Sequence, residues 1–143
     1  MHNEPQPISV AIVQRGEQYL LLRRAPYLRY YGGFWVPPAG TLFNNETVAE
    51  CAVRETFEET QLRVTPIRAG KPFISSQGER ILRVNPVLCE LVSGSVKLNS
   101  ESSAHAWASL KELWNFKLVP SVPEGFESVG LNVPSKAKQE SLF

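Results

Sequence analysis

Residues 40–62 read GTLFNNETVAECAVRETFEETQL, and this stretch decides the fold. Thr47 and Glu50 form a T-x-x-E capping box, in which each side chain takes a backbone N–H of the first turn, so Thr47 is the expected N-cap of a helix. From there the spacing is helical. Ala49, Ala52, Val53, Thr56 and Phe57 are expected on one face, and Glu55, Glu58 and Glu59 on the opposite one. Like charges at these spacings cost about 0.2–0.5 kcal/mol per pair, and only Arg54, four residues before Glu58, offers local relief. An acidic stripe on a helix is ordinarily a solvated face. Here no lysine or arginine lies between Glu55 and Gln61. A hard divalent cation such as Mg²⁺ would supply the missing charge, taking carboxylate oxygens and completing its shell with water and substrate phosphate. The stripe reads as half of a metal–phosphate site.

Before the helix, ISVAIVQRGEQYLLLRR reads as a hairpin from about Ile8 to Arg24 around a turn at RGEQ. APYLRYYGG is an irregular aromatic loop. FWV is a short strand stopped by Pro37 and Pro38, and AGTLFNNE is a loop. After the helix, LRVTPIRAGKPFIS and RILRVNPVLCELVSG read as long strands joined at SQGE, and SVKL as a short edge strand. HAWASLKELWN starts as a strand and becomes a brief helix with Ser109 as its cap, and PEGFESVGL is a last short helix. Strands on both sides of an amphipathic helix, with helical pieces at the end, give the α/β class: a mixed sheet between helical layers.

Composition sets broad limits. The 143 residues suit one domain, expected over 1–133 with a polar tail over 134–143. A net charge of +1 gives no global signal for nucleic acid or a membrane surface. The apolar runs are strand-sized, far short of the roughly 18 residues of a membrane span. The N-terminus lacks the charged-then-apolar order of a secretory signal. Cys51 and Cys89 make no disulfide framework and read as free thiols, each a small buried hydrophobe, in a reducing compartment. A cytoplasmic location is expected.

Residues 40–62 also resemble the Nudix box, G-x5-E-x7-R-E-U-x-E-E-x-G-U with U a bulky aliphatic residue. Gly40, Glu46, Arg54, Glu55, Glu58, Glu59 and Leu62 fall in register, while Thr56 replaces an aliphatic residue and Gln61 replaces the glycine. FWVPPAG is similar to the family's W-x-x-P-G-G lead-in, with Ala39 for one glycine. The resemblance, to MutT-like Nudix hydrolases, implies a Nudix-type α/β/α sandwich with a mixed β-sheet. It implies metal-dependent hydrolysis of a nucleoside diphosphate linked to another group, with Mg²⁺ or Mn²⁺. Glu55, Glu58, Glu59 and the Gly40 carbonyl would hold the metal. Arg54 would orient the glutamates, and Glu46 would support the loop and Arg54. Glu58 is the first candidate for the base, with Glu101 and His105, on a later segment, as alternatives.

Substrate recognition is less marked in the sequence. Arg23 and Arg24 end the second strand, and Arg80 and Arg83 lie on a later one. Each reads either as solvated charge or as a phosphate contact, the latter implied by the resemblance. Tyr27, Tyr30, Tyr31, Phe34 and Trp35 read as a stacking platform for a base or as packing. Members that clean up oxidised guanine nucleotides place an asparagine before the last helix. LVPSVPEG has none, and Asn115 lies earlier. Two other readings compete. One is a Nudix-fold sensor that binds a nucleotide without cleaving it; such modules typically lose box glutamates, which this chain keeps. The other is an unrelated α/β domain with an acidic helix. The implied partner is a nucleotide-type small molecule, and the family often forms homodimers. The terminal QESLF, Gln139 to Phe143, resembles peptides that dock into bacterial sliding clamps, which would tether the protein to replication machinery. On that hypothesis, deleting Leu142 and Phe143 abolishes clamp binding in a pull-down; no binding by the intact protein ends the idea.

Overall fold

Three apolar triplets, Ala11-Ile12-Val13, Leu20-Leu21-Leu22 and Val87-Leu88-Cys89, show how the sheet is covered. In the computed structural model, which describes residues 4–136, the middle residue of each triplet joins one core cluster and the outer two join another. Side chains alternate across a strand, so an unbroken apolar run means that both faces of the sheet are buried. The first cluster packs Ile12, Leu21 and Leu88 with Val122, Phe126 and Val129 of the C-terminal helix. The second packs the outer residues with Ala52, Leu62 and Val64, at the first helix and the strand after it. The result is an α/β/α sandwich.

The strands are β1 (Gln6–Arg15), β2 (Gln18–Arg24), β3 (Trp35–Val36), β4 (Ala39–Thr41), β5 (Arg63–Ala69), β6 (Phe73–Gln77), β7 (Arg80–Ser93) and β8 (Ser102–Ala108). Helix α1 (Val48–Thr60) lies between β4 and β5. A 3₁₀ helix (Leu110–Asn115) and α2 (Val122–Ser128) follow β8. The sheet is mixed: β1 runs parallel to β7 from Gln6↔Leu82 to Gln14↔Glu90, and the remaining pairings are antiparallel. β1 and β2 pair only beside their turn, at Gln14↔Tyr19 and Arg15↔Gln18. Farther along, β1 pairs with β4 while β2 pairs with β3 and β8. The sheet therefore splays between β1 and β2, and the splay makes room for a site.

Four details differ from the sequence reading. AGT forms β4 rather than a loop, because the Pro38 carbonyl, which needs no N–H of its own, accepts from Ala11 at 2.8 Å and keeps the chain beside β1. The expected long strand after α1 breaks at Gly70-Lys71-Pro72 into β5 and β6, both paired with β7. Gly70 lies so close to Ser128 that a Cβ would overlap it, and Pro72 has no N–H to donate. SVKL forms no strand. Its Lys97 N–H bonds the Thr60 carbonyl at 2.9 Å, and Val96 and Leu98 pack on the α1 side of the core. Finally, Glu59 is not on the solvated face of α1 but buried, at 8% exposure. At about 100° per residue, Glu59 sits about 40° from Glu55, on the Ala52 and Thr56 side.

Thr47 caps α1 through the expected box: its hydroxyl accepts from the Glu50 N–H at 3.0 Å, and the Glu50 carboxylate accepts from the Thr47 N–H at 2.8 Å. Cys51 and Cys89 are both buried free thiols. No helix among the described residues is long and apolar enough to cross a membrane. The Gln139–Phe143 motif lies outside the described residues.

Gln61 closes α1 in the left-handed region, at φ 66° and ψ 9°, with its N–H on the Phe57 carbonyl at 2.8 Å. A side chain there costs energy that glycine avoids. Gln61→Gly is expected to stabilise the fold by about 0.5–1 kcal/mol, read as a rise in the thermal midpoint; a fall would show that the glutamine side chain stabilises the turn.

Candidate active site

One guanidinium organises the acidic helix. Arg54 Nε and Nη2 make a fork onto Glu46, with Nε to Oε2 at 2.6 Å and Nη2 to Oε1 at 2.9 Å. Nη1 donates to Glu55 Oε1 at 2.7 Å and to both Glu58 oxygens at 3.2 and 3.3 Å. Nη2 also reaches the Thr41 carbonyl at 3.1 Å. Glu46 takes a further bond at 2.9 Å from the Phe43 N–H. The Arg54 hydrogen bonds hold the Glu46 carboxyl down at about 2, well below the usual carboxylate range. The same bonds push the Arg54 guanidinium upward, so it stays charged.

The loop before the helix fits this hub closely. A Cβ built on Gly40 would overlap the Glu55 carboxyl, so any side chain there would push that carboxyl off its bond to Arg54. The Cys51 thiol lies 3.6 Å from the Gly40 carbonyl and 3.7 Å from that of Thr41. Burial pushes this thiol up to about 11, so it is a neutral filler rather than a thiolate. Thr56, at the position where the box has an aliphatic residue, is fully buried. It satisfies its hydroxyl on the Ala52 carbonyl at 2.7 Å.

The glutamates occupy three environments. Glu58 is half-exposed, Glu55 nearly covered, and Glu59 buried. Burial, then a hydrogen bond with the Glu55 carboxyl, pushes the Glu59 carboxyl well above the ordinary range, against a bond from the Ala39 backbone. Glu59 joins no ion pair among the described residues. No three acidic, imidazole or thiol groups among the described residues converge as a ready cage; Glu55 and Glu58 instead share the Arg54 guanidinium. The donor chemistry nevertheless fits a hard divalent cation. Two carboxyls in contact, one buried without a basic partner, are what such an ion relieves.

Glu59 opens onto a cavity of about 200 Å³ in the splay between β1 and β2. Gly40, Arg24, Arg80, Glu101 and Ser121 also line it. Arg24 is fixed by its Nε on the Tyr30 carbonyl at 2.8 Å, and Arg80 by Nη2 on Gln6 Oε1 at 3.3 Å. Neither joins an ion pair among the described residues. Burial lowers the Arg24 pKa, partly offset by the charges of Glu101 and Glu59.

Other sequence candidates fall elsewhere. Arg23 and Arg83 are exposed outside the lining, since neighbours along a strand face opposite ways. His105 is exposed on β8, across from Leu22, and Asn115 is exposed at the end of the 3₁₀ helix; neither lines the cavity. Among the described residues no aromatic lines it either. Tyr31 and Phe34 pack edge to face at 5.1 Å, and Trp35 packs on Phe116 at 5.0 Å. The Thr41 carbonyl and the Phe43 ring, both on Arg54, were missed. A backbone acceptor has no sequence signal. Phe43 had one, as an aromatic residue directly before the polar run Asn44-Asn45-Glu46.

Three comparisons bear on this site. A family model described as NUDIX domain matches residues 5–128. The chain is 36% identical over 59 residues to the m7GpppN-mRNA hydrolase NUDT17 of Danio rerio. That match covers 41% of this chain and only 20% of that protein's length. Among solved structures, the MutT protein of Methanosarcina mazei superposes with a TM-score of 0.76 at 24% identity, over 89% of this chain and 94% of that one. A NUDIX hydrolase of Nitrosomonas europaea does so with 0.76 at 21% identity, over 88% of each chain. These structural likenesses show the fold. The family match shows more: the chain belongs to the Nudix family of hydrolases acting on phosphoric anhydride bonds, which generally use divalent metal ions.

The Glu46–Arg54 fork carries a signed pH dependence. Glu46 has its folded-state pKa depressed from 4.5 to about 2. Its contribution to stability is therefore full above about pH 4.5 and lost as pH falls through about 2. Denaturant unfolding of the protein and of Glu46→Gln should show a stability gap that is constant near neutrality and closes below about pH 4.5. A gap that stays constant down to pH 2 would remove the fork from the account.

Proposed function

We propose that the chain is a divalent-metal-dependent pyrophosphohydrolase. It would cleave a nucleoside diphosphate linked to another group by attack of water on a phosphorus. One observation carries this reading: Arg54 gathers Glu46, Glu55 and Glu58 at the edge of a cavity that holds buried Glu59 and two arginines without an ion-pair partner. A cavity holding carboxyls and arginines that form no direct ion pair with each other suits a metal and a polyphosphate together.

Glu55, Glu58, Glu59 and the Gly40 carbonyl would hold Mg²⁺ or Mn²⁺. When bound, the ion neutralises charge on the phosphoryl oxygens and acidifies water. The protein groups do the rest. Arg24 and Arg80 bind non-bridging oxygens as fixed forks, holding the substrate so that the attacked phosphorus faces the helix. Glu58, the wettest of the three glutamates, takes the proton of the attacking water. Glu101 lines the cavity and is the alternative base; His105, outside it, is not favoured. Arg54 keeps Glu55 and Glu58 aligned, a positioning task. Arg23, exposed beyond the lining, has no part in this reading.

The Danio rerio relative is named for capped mRNA, and a cap too is a nucleoside diphosphate joined to another group. The substrate panel therefore includes capped RNA beside canonical and oxidised (d)NTPs, ADP-ribose and diadenosine polyphosphates. A cytoplasmic location, a homodimer and sliding-clamp docking through Gln139–Phe143 belong to the same proposal.

Incubation with Mg²⁺ or Mn²⁺ should release phosphate, pyrophosphate or mononucleotide from at least one compound, and chelation should stop it. Glu58→Gln should lower kcat by roughly 10²-fold or more. No turnover of any compound, with tight nucleotide binding by calorimetry, would replace the enzyme by a nucleotide sensor.

A further inference from the structure

Phe43 follows Leu42 in the loop between β4 and α1; Leu42 is half-buried, whereas Phe43 is 58% exposed. An exposed phenylalanine gains little from burial. Its position explains it. The Arg54 guanidinium carbon lies 3.6 Å from the centre of the Phe43 ring, within the range of a cation–π contact. The same residue donates its backbone N–H to Glu46 Oε1, the oxygen that Arg54 Nη2 also binds. Phe43 thus holds the hub from two sides, with its ring on the cation and its backbone on the anion.

The fork onto Glu46 and the reach of Nη1 to Glu55 and Glu58 use opposite edges of one guanidinium plane. All of these bonds survive together only if the plane does not tilt. A ring stacked on one face restrains tilt, and it also excludes water that would compete for the N–H groups. Leucine would cover a similar area without a π face, so the two contributions are separable by substitution.

We infer that Phe43 is a positioning residue for the site: through Arg54 it aligns the glutamates that would receive the metal. The inference rests on the function proposed above for its kinetic consequence, but not for its structural one. Phe43→Ala, Phe43→Leu and Phe43→Tyr are compared with the unaltered protein by two readouts.

The first is the NMR signal of the Arg54 Nε–H, which the bond to Glu46 should protect from solvent exchange. Exchange should quicken in Phe43→Ala and Phe43→Leu and stay slow in Phe43→Tyr. The second is kinetic. In Phe43→Ala and Phe43→Leu, kcat should fall by roughly two- to fivefold, the factor an exposed cation–π contact is worth. KM for the substrate should hold, half-activation should need more Mg²⁺, and tyrosine should restore both. If leucine matches phenylalanine in exchange, or Phe43→Ala leaves exchange unchanged, the inference is overturned. If the unaltered protein hydrolyses nothing, the proposed function fails alone, and the exchange comparison still decides the role of Phe43.

Discussion

The arrangement of this site depends on one cation among four carboxylates. Glu46, Glu55, Glu58 and Glu59 lie within fourteen residues of chain, and a helix forces three of them together. Arg54 answers three of the four. Its fork pins the loop residue Glu46 to the helix, and its remaining nitrogen holds Glu55 and Glu58. A lysine has neither the planar fork nor the second edge, so its three donors on one point charge would not reproduce this geometry. The arrangement in turn constrains the backbone. The β4 strand passes beside Glu55, so a side chain at position 40 would displace the Glu55 carboxyl from its bond to Arg54.

The sheet supplies the other half. A fully paired β1 and β2 would leave no room between them. Instead they part after two residue pairs, and β4 takes over the edge of β1. The opening receives residues from strands far apart in sequence, with Arg24 on β2, Arg80 on β7, and Gly40 on β4 facing Glu59 of α1. Side-chain alternation then sorts each arginine pair: Arg24 and Arg80 enter, and Arg23 and Arg83 do not.

Much of this was legible in the sequence, and the failures have physical causes. The capping box placed α1, and the apolar runs placed the central strands, because both are local or periodic signals. The box spacing carried Arg54 and its glutamates for the same reason. Register was not legible. Which arginine of a pair faces inward depends on strand pairing, so Arg23 and Arg24 read alike until β2 was seen against β3 and β8. SVKL looked like a strand because it has an apolar residue at every second position. Its segment is held instead by the Lys97 N–H on the end of α1 and by Val96 and Leu98 packed on the core. The burial of Glu59 was missed for a quantitative reason. Opposite faces were assigned from three- and four-residue neighbours, whereas the true offset from Glu55 is about 40°, enough to carry a glutamate across the boundary of the core.

That offset explains why three glutamates on one helix need not be equivalent. Glu58 meets water, Glu55 meets Arg54, and Glu59 meets the interior and the Glu55 carboxyl. A buried carboxyl beside another is unfavourable when charged, and the fold tolerates it here by raising its pKa. A divalent cation reverses that preference, because it stabilises the ionised form of each carboxyl it touches. On the proposed function, the cost of Glu59 in the metal-free protein would become a gain on metal binding, and stability and metal affinity would be linked through one residue. A solvated stripe would have had no such linkage, since three exposed carboxylates lose little by standing alone. The helix therefore departs from the simple amphipathic pattern at the one position where departure ties the core to the site.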